Sequence, residues 1–338
     1  MNRLAVVFPG QGSQIVGMGR DLCEASPPAR ATYEEANDAL GYDLARVCFE
    51  GPAELLSRTD VTQPALLTTS IALLRALAEK GLSFAVALGH SLGEYTALVA
   101  TGSLDFAEAV ALVRTRGEAM LAAAEASPGG MAAVIGLEAS AVEELCSAIG
   151  GVWPANFNSP GQVVVSGTER AIDELSRRAP GAGARRVVRL AVSGAFHSPL
   201  VAPAAEAMRA PLAGARFATP RPAFFSTCSV SFEPQGRQPE IIGRSQPETS
   251  GRSQPEPPDE LGGGLAGLML RQIISPVRWE QSVRALVEAG YDAFLEVGPG
   301  NVLTGLIKRI DNGVTTGNVA DVATLQAALA ASWTGGKR

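Results

Sequence analysis

Phe84-Ala85-Val86-Ala87-Leu88-Gly89-His90-Ser91-Leu92-Gly93-Glu94-Tyr95-Thr96-Ala97-Leu98-Val99-Ala100 is the stretch on which the fold turns. Its first five residues are uniformly apolar, without the alternation of a half-exposed strand, so Phe84 to Leu88 reads as a buried strand of a parallel sheet. Glu94 to Ala100 is apolar enough for a buried helix. Between them lies Gly89-x-Ser91-x-Gly93. Strand, tight turn and helix is the setting of a nucleophile elbow, in which the serine hydroxyl stands above the helix N-terminus. The alternative is a glycine turn with an idle serine, since short Gly/Ser patterns arise by chance in a chain with 37 glycines.

Working outward, Leu4 to Phe8 is a second buried strand, stopped by Pro9-Gly10, and Gln11 to Gly19 is a loop. Pro64 to Glu79 has a strong helical pattern. From Gly130 the rhythm changes. Met131 to Ile135, Val152 to Asn156, Gln162 to Ser166 and Arg186 to Val192 read as strands, with helices at Ala139 to Ile149 and Glu169 to Ala179. That β-α-β-β-α-β order is ferredoxin-like. The fold class is therefore α/β: a hydrolase-like large domain with a parallel sheet and nucleophile elbow (1–127 and 194–338), plus an inserted ferredoxin-like small subdomain (128–193).

Residues 233–264 carry Gly-Arg-Ser-Gln-Pro-Glu at Gly243 to Glu248 and again at Gly251 to Glu256. Rich in Pro, Gly, Gln and Glu and poor in aliphatic side chains, the segment is expected to be a disordered loop within the large domain. Trp279 to Ala289 reads as a helix and Phe294 to Val297 as a strand. Gly298-Pro299-Gly300 is a turn, and Val302 to Ile310 is an amphipathic helix.

The 338 residues are 46% hydrophobic and 18% charged, and that length suits a large core with one smaller subdomain. A formal net charge of −6 argues against nucleic acid or an anionic membrane as partner. Cys23, Cys48, Cys146 and Cys228 form no C-x-x-C pair, and with two histidines in the chain no metal site is expected. Reduced, buried thiols are the reading. No signal peptide is evident and no run approaches 18 uninterrupted apolar residues, so a cytoplasmic location is expected.

A serine needs a base to act as a nucleophile at neutral pH. His90 adjoins Ser91 on the elbow, where neighbouring side chains diverge. That leaves His197, in Gly194-Ala195-Phe196-His197-Ser198-Pro199. No histidine follows it, so an acid-assisted triad would need its acid before His197. A dyad oriented by an amide or a backbone carbonyl fits better.

Seven motifs then appear together. They are Phe8-Pro9-Gly10-Gln11-Gly12-Ser13-Gln14, Gly89-His90-Ser91-Leu92-Gly93-Glu94, Arg114-Thr115-Arg116-Gly117, Asn156-Phe157-Asn158-Ser159-Pro160-Gly161-Gln162, Ala195-Phe196-His197-Ser198, Ser275-Pro276-Val277-Arg278-Trp279 and Leu295-Glu296-Val297-Gly298-Pro299-Gly300. In this order, across nearly the whole chain, they resemble the malonyl-coenzyme A:acyl carrier protein transacylase family of fatty-acid and polyketide synthesis. Segment 233–264 is longer than that family's usual connection.

The resemblance implies Ser91 as nucleophile and His197 as base, with Gln11 and the Leu92 N–H as oxyanion hole. It implies that Arg116 binds the malonyl carboxylate and that Gln272 orients His197. Asn158 would face the substrate cleft. Phe196 before the histidine and Leu92 after the serine match malonyl-selective members rather than methylmalonyl ones. Malonyl-CoA and an acyl carrier protein are the implied partners, with no cofactor beyond the coenzyme A thioester itself. Without the resemblance, Gln11 and Gln272 read as exposed loop residues, and Arg116 as a solvated helix charge paired with Glu118 or Asp105. A thioesterase using the same Ser91 and His197, or a non-catalytic carrier-protein docking module, are the competing classes.

Overall fold

Ten strands in two sheets organise the computed structural model, which describes residues 3–234, 263–331 and 333. In chain order they are β1 (Leu4–Phe8), β2 (Val86–Gly89), β3 (Gly130–Ile135), β4 (Val152–Ser159), β5 (Gln162–Gly167), β6 (Arg186–Arg189), β7 (Ala223–Ser226), β8 (Ser231–Glu233), β9 (Ala293–Val297) and β10 (Thr315–Val319). The large sheet runs β10-β9-β1-β2-β7-β8 and is parallel except for β8, which turns back antiparallel on β7. Leu4, Val6 and Phe8 point into one core, with the helices Thr59–Glu79, Gly93–Ala100 and Phe106–Ala126. Ala5 and Val7 point into the other, with Trp279–Glu288 and Val302–Ile310. Burial on both faces is what the unbroken apolar runs of β1 and β2 reflect.

The second sheet is antiparallel, in the order β4-β5-β3-β6. Its helices Ala139–Ile149 and Glu169–Arg178 cover one face through Ala132, Val134, Val163 and Val165. The alternate residues Met131, Ala133 and Val164 face the large domain and join its core. A parallel bridge sews the two together: Phe157 donates to Val277 O at 2.9 Å and Val277 to Ala155 O at 2.8 Å. The protein is thus an α/β structure with a parallel sheet and a ferredoxin-like antiparallel one.

Several boundaries differ from those the sequence predicts. The helix predicted from Pro64 begins at Thr59, because burial on all sides outweighs the one backbone hydrogen bond Pro64 cannot donate. This helix is long and apolar enough to cross a bilayer, but 89% of its most apolar 18-residue stretch is buried inside the fold. Strand β2 ends on Gly89, and β6 stops at Arg189 rather than Val192. Helices Pro27–Leu40, Leu44–Glu50, Ala202–Gly214, Gly264–Ile274 and Val322–Ala330 and strands β7, β8 and β10 are not among the elements predicted from sequence. Of the repeat-bearing segment, Glu233 closes β8 and Gly264 opens a helix; residues 235–262 lie outside the described residues. Cys23, Cys48 and Cys146 are buried, Cys228 is half-buried, and all are free thiols.

Two long helices meet closely at Gly117. A Cβ placed on Gly117 would come within 2.6 Å of Asp60 Cα, so Thr59–Glu79 and Phe106–Ala126 meet backbone to backbone there. Overpacking of this kind costs about 1–3 kcal/mol, and the better helix propensity of alanine returns at most about 1 kcal/mol. Gly117→Ala is therefore expected to lower the urea midpoint, and an unchanged or raised midpoint would show that the helices can part freely.

Candidate active site

Ser91 stands between β2 and the helix Gly93–Ala100, at φ 53°. That left-handed conformation is uncommon for a residue with a side chain and marks a constrained turn. Glycines make the turn possible. A Cβ on Gly89 would fall 1.9 Å from the Gly93 carbonyl carbon, and one on Gly93 would fall 2.2 Å from Phe8 O. Gly10 on the adjacent loop is equally confined, 2.5 Å from His90 O. The strand–elbow–helix setting of Ser91 therefore rests on backbone packed against backbone.

The Ser91 hydroxyl donates to Nε2 of His197 at 2.7 Å. On the other side of the ring, Nδ1 lies 3.1 Å from Gln272 O and 3.0 Å from Ser275 O. Carbonyls only accept, so Nδ1 carries the proton and Nε2 is free to take one. The orienting group is thus backbone carbonyl and not a carboxylate. Burial, then the neighbouring Arg116 charge and His90, push His197 down to about 3. Its ring is neutral across the physiological range. His90 turns away from Ser91, bonds Asn158 Oδ1 at 3.0 Å and lies against Trp279. Burial holds its pKa below the ordinary histidine value.

Arg116 is 1% exposed. The pairing with Glu118 belongs instead to Arg114, two residues earlier on the outer face of the same helix. Arg116 donates Nη1 to Gln63 Oε1 at 2.8 Å and Nη2 to Gln272 Oε1 at 3.0 Å, with Nη2 3.4 Å from Ser91 Oγ. Its guanidinium lies over the Tyr95 ring. Every one of these partners is neutral, and Nε is buried without a partner among the described residues. Burial lowers its pKa from the ordinary arginine value. A guanidinium so placed is an anion site beside the Ser91 hydroxyl.

Gln272, 2% exposed in the helix Gly264–Ile274, ties these groups together. Its side-chain amide accepts from Arg116 and donates to Ser91 O at 2.6 Å, while its own backbone carbonyl meets His197. The exposed-loop alternative for Gln272 therefore fails. Gln11 is half-buried, with Nε2 3.3 Å from Thr59 Oγ1. Leu92 caps the elbow helix, and its N–H makes no backbone hydrogen bond among the described residues. Gln11, Ser91, Leu92, Arg116, Asn158, Phe196 and His197 all line one cavity of about 200 Å³ at the seam between the two sheets. Among the described residues no group of three or more His, Cys, Asp or Glu could hold a metal ion.

Two participants were not singled out from sequence. Gln63, in the apolar helix Thr59–Glu79, looks like a polar interruption until packing sets it against Arg116. Glu94, fully buried in the first turn of the elbow helix, accepts from the Ser226 hydroxyl at 2.9 Å and from the N–H and hydroxyl of Thr227 through Oε1. Burial raises its pKa and those bonds oppose the rise. Its place at the end of the elbow motif was the available signal.

The acyl transferase domain family matches residues 5–328. A malonyl CoA-acyl carrier protein transacylase of Escherichia coli (strain K12) is 40% identical over 333 residues, 97% of this chain and 99% of the relative. The one from Bacillus subtilis (strain 168) is 38% identical over 333 residues, 97% of each. Among solved structures, a type II PKS acyl-carrier protein in complex with its malonyl-transacylase gives a TM-score of 0.85 at 39% identity, covering 96% of this chain and 98% of that one. An acyl carrier protein S-malonyltransferase from Vibrio cholerae gives 0.84 at 39% identity, covering 96% and 99%. With elbow, dyad and buried arginine in place over the full length of these relatives, the chain belongs to the malonyl-CoA:acyl carrier protein transacylases.

Proposed function

We propose that this protein carries a malonyl group from coenzyme A to the thiol of an acyl carrier protein, through a malonyl ester on Ser91. The observation that carries the reading is the buried Arg116, its hydrogen bonds all to neutral oxygens, set beside the Ser91–His197 pair. As the thioester binds, its carboxylate meets the guanidinium. His197 Nε2 takes the Ser91 proton while Oγ bonds to the thioester carbonyl carbon. The Leu92 N–H, with the Gln11 amide turned from its long bond to Thr59, stabilises the tetrahedral oxyanion. Collapse breaks the carbon–sulfur bond, and His197 returns the proton to the leaving thiolate. The carrier thiol then repeats these steps in reverse, giving up its proton to His197 and freeing Ser91. Phe196 and Leu92 favour malonyl over methylmalonyl in this reading.

Mixing the protein with malonyl-CoA and weighing it intact is expected to show one added malonyl group, absent from Ser91→Ala. Labelling that persists in Ser91→Ala would sink the covalent assignment, and release of free malonate in place of transfer would indicate a hydrolase.

The pH dependence follows from the direction of the His197 shift. A histidine held near 3 stays neutral, and competent as a base, from there up to alkaline pH. The acid limb of kcat/KM, which reports the free enzyme, should therefore be flat through pH 6.5 and fall only well below pH 5. A half-loss at about 6.5, the ordinary histidine value, would show that the imidazole is solvated.

Selectivity rests on Arg116. Removing one partner of a desolvated charge pair costs about 2–5 kcal/mol, so Arg116→Ala should lower malonyl transfer by roughly 30- to 5,000-fold. Acetyl transfer should hold or rise, because no carboxylate is left unpaired. Arg116→Lys should recover part of the loss, since a point charge cannot reproduce the two-pronged contact. Equal losses for malonyl- and acetyl-CoA would mean that Arg116 serves the fold alone.

A further inference from the structure

The small subdomain reaches the Ser91–His197 pair at two points, each one residue ahead of a member of the pair. Asn158 of β4 bonds His90, which precedes Ser91; Ser166 of β5 donates through Oγ to the backbone carbonyl of Phe196, which precedes His197. Ser91 and His197 both sit in the left-handed region, at φ 53° and 58°. Such conformations persist only where surrounding contacts fix them. Around His197 the fixing contacts are few and identifiable. Gln272 O and Ser275 O hold the ring, and the Ser198 hydroxyl holds Ala195 O from within the same loop. Ser166 holds the adjoining peptide from across the seam.

The surroundings of Ser166 argue that the hydroxyl is there for that bond. Along β5, Val163 and Val165 face the subdomain's own helices, while Val164 faces the large domain with Met131 and Ala133. Ser166 shares the parity of Val164 and is completely buried. A fully buried hydroxyl is costly unless it is bonded, and Phe196 O takes its proton. Strand β5 is central in its sheet, with Ser166 registered against Met131 on β3 and Trp153 on β4. The donor is thus anchored in a rigid element, and the acceptor lies on the loop that carries the base.

We infer that Ser166 is a positioning residue, which fixes the Phe196–His197 peptide so that Nε2 stays on the Ser91 hydroxyl. The small subdomain then aligns the base in addition to walling the cavity. This inference rests on Ser91 and His197 acting as nucleophile and base.

Ser166→Ala is expected to lower kcat for malonyl transfer by roughly 10- to 100-fold, the scale of a displaced catalytic group. KM for malonyl-CoA should change by no more than about twofold, because Arg116 is untouched. Ser166→Cys, similar in size with a weak donor, should recover part of the rate. The chain has two histidines, so imidazole nitrogen resonances can be followed singly. Those of His197 should shift in Ser166→Ala while those of His90 stay in place. Thermal unfolding of each variant reports the folded fraction. The inference is overturned by a wild-type kcat in folded Ser166→Ala, or by a loss that only follows the folded fraction with the His197 resonances unmoved. Should Ser166→Ala not fold, Ser166→Cys carries the same test through kcat and the ring resonances. Ser91 labelling separates the two readings. If Ser91→Ala still labels, the dyad assignment fails. If Ser91 labels normally and Ser166→Ala transfers at full rate, only the role of Ser166 falls.

Discussion

Gly89 and Gly93 press backbone to backbone, and most of the site is arranged around that contact. A side chain on either glycine would strike the chain at about van der Waals overlap distances: 1.9 Å to the Gly93 carbonyl carbon, 2.2 Å to Phe8 O. Because neither carries one, β2 can pass into its helix in a single turn. Ser91 is left at positive φ, and the Leu92 N–H begins the helix with no backbone acceptor among the described residues. The parallel pairing of β1 with β2 brings Gly10 and Gln11 alongside the same turn. Widening the elbow by one methyl group would separate the hydroxyl, the free N–H and the Gln11 loop together.

Electrostatics is organised around a different residue. Gln272 bonds or touches Ser91, Arg116 and His197 by three different atoms, so the orientation of its amide is set. Its oxygen faces the cation and its nitrogen faces the serine carbonyl. The same Arg116 that invites an anion also helps hold His197 neutral. A pull on anions and a neutral imidazole are thus two effects of one buried charge.

How much of this was legible in the sequence varied with the physical origin of each feature. Strand β1 and the helix Val302–Ile310 appeared at their predicted bounds because burial on two faces and an amphipathic stripe leave unambiguous patterns. Strand β10 did not: Thr315-Thr316-Gly317-Asn318-Val319 has no strong pattern of its own and is a strand because β9 offers it a parallel partner. Ser91 and His197 could be reached by local context and elimination. Arg116 could not, since nothing in Arg114-Thr115-Arg116 tells which arginine faces inward; the two lie on opposite sides of a helix, and only packing decides. Gln63 and Gln272 are buried polar residues whose partners lie 53 and 156 residues from them along the chain, so the family resemblance could suggest one of them and the local sequence neither.

The cavity at the seam has about 200 Å³, below the range of roughly 300–1,000 Å³ found for clefts that bury drug-sized ligands. It has room for an acyl group, and the nucleotide of a coenzyme A thioester would extend beyond it. A free cofactor and a protein-borne arm both offer the same few thioester atoms to the cavity, and each transfer crosses the same transition state in both directions. Direction then comes from the supply of loaded and unloaded thiols rather than from the enzyme, which makes the fold a reversible exchange point between two pools.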